Sequence, residues 1–373
     1  MQQNSPAMTE PNSGNNAEPP PAASGFSDIS AKARRNLRIW LYIMAVLVTA
    51  MVLLGGATRL TDSGLSITEW RPIVGIIPPL GEADWFDEFI KYQGIPEYQL
   101  VNQGMTLEQF KTIYWWEWSH RFFGRLIGFA FALPLLYFAM TRQLNRRMTW
   151  RLVTILALGG LQGALGWFMV ASGLTERIDV SQYRLAAHLG LAATILIAIL
   201  WTAFDLSDSR SDQSGARARR WRLTATILVG LVFLQIIAGG FVAGLKAGLA
   251  YNTWPLMDGR FIPVGLLDMS PVYLNIFENV MTVQFNHRII AYAVLVAALV
   301  HLLTVRWSGA HPAGRKGADF LAWAVIAQVG LGIATLLGNV PITVALLHQL
   351  GALVVLALAV HQLHLSRRQK SQS

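Results

Sequence analysis

The segment GGATRLTDSGLSITEWRP, residues 55–72, recurs later in the chain as GGFVAGLKAGLAYNTWP, residues 239–255. One offset of 184 aligns five identical residues, and a match that includes a tryptophan is poorly explained by chance similarity between apolar segments. The identical pairs are Gly55/Gly239, Gly56/Gly240, Gly64/Gly248, Leu65/Leu249 and Trp70/Trp254. Each copy follows a long apolar segment, so the sequence predicts an internal duplication.

The composition excludes a soluble enzyme. The 373 residues are 53% hydrophobic and 14% charged, whereas a soluble domain is about 25% charged. A bilayer-spanning helix needs about 20 apolar residues, and eight segments qualify: 38–58, 122–141, 151–171, 184–204, 222–244, 287–306, 318–338 and 342–364. We predict an all-α polytopic membrane protein whose eight transmembrane helices form two tandem four-helix bundles, related by a pseudo-two-fold axis along the membrane normal.

The basic residues predict the orientation. Of the 30 Lys and Arg residues, 19 fall in segments on one side of the eight spans, and 14 of the 21 acidic residues fall on the other. The basic side is expected to be the cytoplasm, with both termini there. The excess of positive charge therefore gives no reason to expect nucleic acid as a partner. Lacking the features of a signal or transit peptide, the chain is predicted to lie in a bacterial inner membrane.

The predicted domain organisation follows from these spans. It comprises a disordered cytoplasmic N-terminal tail (1–35), a first four-helix repeat (36–205), a cytoplasmic linker (206–221), a second four-helix repeat (222–366) and a cytoplasmic tail (367–373). The chain contains no cysteine. Disulfides, thiolate metal sites, iron–sulfur clusters and cysteine nucleophiles are excluded together.

Four histidines lie near the starts of the even-numbered spans: His120, His188, His287 and His348. Every even span runs from outside to inside, so all four are expected at one depth in the outer leaflet. Ionisable residues within a membrane are costly and are functional candidates. Each repeat supplies two imidazoles from two helices, as a six-coordinate haem iron requires. Zinc would normally need three or four ligands.

Haem carries two propionates, which favour the polar interface and cationic partners. Five arginines near the outer ends of the spans are candidate contacts: Arg59, Arg121, Arg125, Arg184 and Arg288. The alternative, that they only anchor the helices at the interface, stays open.

The two repeats differ beside one histidine. Glu117 precedes His120 by three residues and so shares its helix face, whereas the second repeat has Gln284 before His287. A carboxylate at this position can relay protons or stabilise developing charge. A di-iron site would need two such motifs and further helical carboxylates, so it is excluded. An interfacial ion pair between Glu117 and Arg121 remains an alternative.

These features together resemble the haem A synthase family. The resemblance rests on the four-plus-four duplication and on four local motifs: Glu-x-x-His-Arg at 117–121, the loop beginning at Gly55, KYQGIPEYQ at 91–99 and NTWPLMDGRFIP at 252–263. It covers residues 36–365 and is closest to the alphaproteobacterial and mitochondrial-type branch. That branch lacks the cysteine pair that some bacterial members carry in the first outer loop, which leaves the electron acceptor unidentified.

The resemblance implies an oxidoreductase that converts haem O into haem A for cytochrome oxidase. A ring methyl is hydroxylated twice, and the diol loses water to give a formyl group. By position, His120 and His188 would bind the substrate haem, with Glu117 as catalytic carboxylate. His287 and His348 would bind the iron of a haem b cofactor. The implied partners are haem O, a membrane electron carrier and a haem O synthase; a homo-oligomer stays open.

The alternative function is a bis-histidine multihaem b-type cytochrome that transfers electrons without substrate chemistry. His301 and His361 follow the ligands of the second repeat at spacings that would suit an inner haem. The first repeat has Pro134 and Thr202 at the corresponding depths and lacks this pair.

Overall fold

The computed structural model describes residues 28–70, 74–174, 178–207 and 216–367. Most of the predicted N-terminal tail, half of the predicted linker and nearly all of the C-terminal tail lie outside these ranges. Within them the regular structure is helical and no strand is formed. The predicted all-α class is therefore confirmed for the described part of the chain.

The described residues form eleven α-helices. In chain order they are α1 (Ala31–Leu60), α2 (Glu82–Gln93), α3 (Pro96–Leu100), α4 (Leu107–Met140), α5 (Arg146–Ala171), α6 (Gln182–Asp205), α7 (Ala216–Gly244), α8 (Asn275–Glu278), α9 (Val280–Trp307), α10 (Pro312–Leu337) and α11 (Ile342–Leu365).

Eight of these helices are long and apolar enough to cross a membrane, which confirms the eight predicted spans. They are α1, α4, α5, α6, α7, α9, α10 and α11. Eight crossings place the start of α1 and the end of α11 on the same side. The assignment of that side to the cytoplasm stays a prediction from the basic residues.

Helix α4 begins 15 residues before the predicted span at 122. Thr106 caps it, because the Thr106 hydroxyl accepts a hydrogen bond from the Gln109 backbone N–H and the Gln109 side chain accepts one from the Thr106 N–H. The additional turns bury Phe110 and Tyr114 outside the predicted span. Helix α1 likewise begins at Ala31, inside the predicted tail.

The segment between α1 and α4, which contains no predicted span, forms a folded layer. In α2, Trp85, Phe89 and Tyr92 recur at helical spacing and are buried. They pack against the first turns of α4, where the rings of Phe89 and Phe110 lie 5.1 Å apart. This layer fixes the first turns of α4, the helix that carries Glu117 and His120.

The spanning helices form two apolar clusters. One draws on α1, α4, α5 and α6, with Leu353 of α11, and the other on α7, α9, α10 and α11, with Ala193 of α6. Between the two groups α6 packs against α7 and α11, and α1 packs against α11. The helix pairs are those a tandem repeat would give; the symmetry axis itself stays a prediction.

Small residues bring α6 and α7 together. A Cβ added at Gly240 would lie 2.9 Å from the Cα of Ala186, and one at Gly244 would lie 2.6 Å from the Cα of Gln182. Four residues apart on one face, these glycines allow the two backbones to approach closely, as small residues do between membrane helices.

Candidate functional site

Each of the four histidines faces a glycine on the preceding membrane-spanning helix. A Cβ on that glycine would lie within 3.3 Å of the imidazole Cε1 atom, so the missing side chain gives the ring its room. The pairs and distances are Gly55 and His120 at 2.9 Å, Gly166 and His188 at 3.1 Å, Gly239 and His287 at 3.3 Å, and Gly332 and His348 at 2.9 Å.

The histidines also pair within each half. His120 and His188 lie close enough for a charge on one imidazole to act on the other, and the same is true of His287 and His348. Among the described residues no three or more His, Asp or Glu side chains cluster as a metal site would require. A porphyrin supplies four nitrogens of its own to iron, so a pair of imidazoles suffices for haem.

The ring nitrogens test whether a haem fits. The Nδ1 atoms of His120 and His188 are buried and have no hydrogen-bond partner among the described residues. In the second half the amide nitrogens of Gln235 and Gln328 approach His287 and His348, each at 3.1 Å from Nδ1. Buried imidazoles that each lie against a glycine and have few competing hydrogen-bond partners fit haem ligation in both halves.

Glu117 is held by four hydrogen bonds and is 3% exposed. Its Oε2 accepts from the Ser66 hydroxyl and the Ile67 backbone N–H, both at 2.8 Å. Its Oε1 accepts from the Nε of Arg121 at 3.0 Å and from the Nη2 at 2.6 Å. The predicted alternative of an ion pair with Arg121 is therefore present. Through Ser66 and Ile67 the carboxylate also binds the loop that follows α1.

Gln284 makes the corresponding contacts in the second half with opposite polarity. Its Nε2 donates to the backbone carbonyls of Ala247 and Ala250 at 2.8 and 2.7 Å, and its Oε1 accepts from Arg288 at 3.0 Å. Each side chain is thus matched to its own loop: the carboxylate meets an N–H and a hydroxyl, whereas the amide meets two carbonyls.

Arg121 and Arg288, which directly follow His120 and His287, also bind these loops. Arg121 donates to the carbonyls of Ile67 and Glu69, and Arg288 to those of Tyr251 and Thr253. Both acceptor pairs follow the repeat offset of 184. Hydrogen bonds therefore hold the loop after the first helix of each half against α4 in the first half and against α9 in the second.

A family model matches residues 38–360, nearly all of the spanning part of the chain. The chain belongs to the COX15-CtaA family, described as cytochrome oxidase assembly protein.

Three relatives, all haem A synthases, match most of this family member. The enzyme of Azorhizobium caulinodans is 54% identical, and the match covers 91% of this chain and 97% of the relative. That of Parvibaculum lavamentivorans is 53% identical over 87% and 92% of the two chains. That of Chelativorans is 53% identical over 91% and 93%. These relatives confirm the predicted family and its alphaproteobacterial branch.

The five candidate arginines of this family member have different partners. Arg59 forms ion pairs with Asp62 at 2.9 Å and Asp179 at 3.1 Å. Arg184 donates to the Ser172 hydroxyl and lies over the Phe168 ring. Arg121 and Arg288 bind the loop carbonyls, and Arg125 lies one turn after Arg121 on α4. Their contact with propionates stays a prediction, and Arg59 carries the most competition from carboxylates.

His301 and His361 do not form the inner pair that the cytochrome alternative needs. His301 is 1% exposed, and both its nitrogens are engaged, Nδ1 with the Thr224 hydroxyl at 2.9 Å and Nε2 with Gln362 Oε1 at 3.3 Å. His361 instead packs on the ring of Phe204, at 5.0 Å between centroids. The geometry therefore does not favour a second haem at this depth.

Replacing His301 by alanine is expected to destabilise the fold without removing haem. Thr224 and Gln362 would lose a buried hydrogen-bond partner, which costs about 1–3 kcal/mol. Thermal unfolding in detergent should show the loss, while the haem-to-protein ratio stays at the wild-type value. A drop in that ratio by one haem would restore the cytochrome alternative.

Glu97 is a buried carboxyl that the sequence analysis passed over. It lies in α3, outside the spanning helices, is 5% exposed, and its Oε2 has no hydrogen-bond partner among the described residues. Burial, together with the negative charges of Glu117, Asp62 and Asp179, raises the pKa of Glu97 to about 8. It therefore carries a proton at neutral pH. The apolar periodicity of α2, just before Glu97, was the available signal in the sequence. It indicates a helix with a buried face, and residues next to such a face can be buried with it.

Proposed function

We propose that this chain is a haem A synthase, an oxidoreductase that converts haem O to haem A. The observation that carries the proposal is the presence of two separate imidazole pairs, one in each half, in a chain 54% identical to a haem A synthase over 91% of its length. An enzyme that oxidises a haem with the help of a haem needs two such sites.

The two sites would have different occupants. His120 and His188 would hold the substrate, haem O, in the first half, and His287 and His348 would hold a haem b cofactor in the second. When bound, haem b supplies one-electron redox chemistry that no side chain of this chain provides. The substrate reaction is the double hydroxylation of a ring methyl: each step exchanges a C–H for a C–OH with oxygen from water and releases two protons and two electrons to the electron carrier. The diol then loses water to leave a formyl group.

Glu117 supports the assignment of the substrate to the first half. It lies one turn from His120, and Arg121 with the Ser66–Ile67 loop holds its carboxylate in place. A carboxylate fixed by four hydrogen bonds suits the stabilisation of positive charge as electrons leave the substrate methyl. The second half has the neutral Gln284 there, which suits a site that only holds a cofactor.

The proposal also covers the propionate contacts, the membrane location and the partners of the chain. The outer arginines, with Arg125 and Arg184 foremost, would bind propionates at the polar interface. The chain would lie in the bacterial inner membrane with both termini in the cytoplasm. A haem O synthase would deliver the substrate, and a membrane electron carrier would accept the electrons.

Pigment extraction tests the function directly. A bacterial strain that makes haem O but no haem A is given this chain, and its membrane haems are separated by chromatography. We expect haem A to appear, and we expect it to be absent when the same strain carries the His188→Ala variant. Haem O that accumulates unchanged beside a well-expressed, haem b-containing chain would indicate an electron carrier and overturn the proposal.

A further inference from the structure

Gln235 lies beside His287 on the neighbouring helix. It precedes Gly239 by one turn of α7, and its amide nitrogen lies 3.1 Å from both the Nδ1 and the Nε2 of the imidazole. Its Oε1 is buried and has no hydrogen-bond partner among the described residues. The glycine gives the ring space, and the glutamine places a polar group against the ring.

The first half has Met51 at the corresponding place. The offset of 184 that relates the repeats pairs Met51 with Gln235, and Met51 likewise precedes Gly55 by one turn of α1. Its terminal methyl packs towards α4, 3.3 Å from where a Cβ on Gly124 would lie. The Nδ1 of His120 has no hydrogen-bond partner in the described part of the chain.

Two further glutamines, one in each half, show which contacts the halves share. Gln162 and Gln328 both donate to the backbone carbonyl of the histidine opposite, at 3.0 and 2.7 Å. Gln328 also reaches the Nδ1 of its histidine, His348, at 3.1 Å. Both imidazoles of the second half therefore have an amide beside a ring nitrogen, whereas no such contact reaches the imidazoles of the first half among the described residues.

An imidazole that binds iron through one nitrogen carries a proton on the other. A partner that accepts this N–H fixes the ring orientation and makes the imidazole a stronger ligand. A half-turn of the Gln235 amide exchanges its two terminal atoms and brings the unpartnered Oε1 to the ring. A thioether is only a weak acceptor, so Met51 cannot do the same for His120.

We propose that Gln235 is a positioning residue that makes the second half a site of retention, and that Met51 leaves the first half a site of exchange. The inference rests on the proposed function, in which a cofactor stays bound while a substrate enters and a product leaves. The two halves share their histidines and glycines, and the contact of Gln235 with His287 contributes to the difference in how firmly they hold haem.

Two reciprocal variants of the full chain test this, Gln235→Met and Met51→Gln, purified with both haems after co-expression with a haem O synthase. Haem b and the farnesylated haems are distinguished by their pyridine spectra, and the loss of each to excess apomyoglobin is timed. Gln235→Met should release haem b about tenfold to a hundredfold faster and raise its midpoint potential, because a weaker donor stabilises ferric iron less. Met51→Gln should slow the loss of the farnesylated haems.

A third variant separates the hydrogen bond from simple packing. Gln235→Glu keeps the length and an acceptor oxygen, so it should retain haem b at least as long as wild type. Equal loss from Gln235→Glu and Gln235→Met, or a potential unchanged in Gln235→Met, would overturn the proposal. A wild-type chain that makes no haem A would overturn the proposed function alone, since release and potential are measured without turnover.

Discussion

Alanine in place of His287 or His348 is expected to abolish the haem b spectrum of the purified chain. The two imidazoles come from α9 and α11, and each lies against a glycine on the preceding membrane-spanning helix, α7 or α10. No third His, Asp or Glu clusters with them among the described residues. A haem left with one axial ligand loses its low-spin spectrum, and the weakened site should lose the haem during purification.

The controls for this experiment lie in the same chain. His361→Ala alters another histidine of α11, one that packs on Phe204, and should leave the haem b spectrum intact. His120→Ala should likewise spare haem b, because His120 belongs to the other pair. A spectrum unchanged in His287→Ala and His348→Ala would show that haem b is bound elsewhere.

Glu117→Ala is expected to lower haem A formation about 100-fold or more while haem b stays bound. The variant removes a buried negative charge one turn from His120, together with the hydrogen bonds that hold Ser66 and Ile67. Formation of haem A from haem O in membranes gives the rate, and the haem b spectrum reports the integrity of the second half.

Glu117→Gln separates charge from position. Its amide keeps the size of the side chain and one oxygen for Arg121, but it removes the negative charge. We expect Glu117→Gln to be as inactive as Glu117→Ala, while Gln284→Ala, the matched change in the second half, leaves more activity. Wild-type rates in Glu117→Gln would show that the loop contact alone matters and would end the catalytic assignment.

The sequence predicted the spanning helices because a long apolar segment crosses a bilayer as an α-helix, in which its backbone hydrogen bonds are made within the segment. The predicted span was shorter than α4, because the helix begins among polar residues such as Glu117 and Arg121, where the apolar pattern is lost. The cap at Thr106 and Gln109 was the local signal of the true start. The buried face of α2 was readable as a helical period, but its packing on α4 depends on the tertiary fold.

For the candidate site, comparison of the two repeats predicted the four histidines and the difference between Glu117 and Gln284. It could not show that Gly55 and Gly239 face the imidazoles, because this depends on how each helix is rotated against its neighbour. The same holds for the contact of Gln235 with His287. The pairing of Glu117 with Arg121 was foreseeable from their spacing of four residues, yet its binding of a distant loop was not.

The opposite polarity of Glu117 and Gln284 limits how the two halves could be recombined. A chimera that moved only α4 or only the loop after α1 into the other repeat would set a carboxylate against two carbonyls, or an amide against an N–H and a hydroxyl. Only the loop and its helix moved as one unit would keep every hydrogen bond. The smallest exchangeable module of this protein is therefore neither a helix nor a loop, but a pair of segments that lie 50–51 residues apart in the first half and 34–37 residues apart in the second.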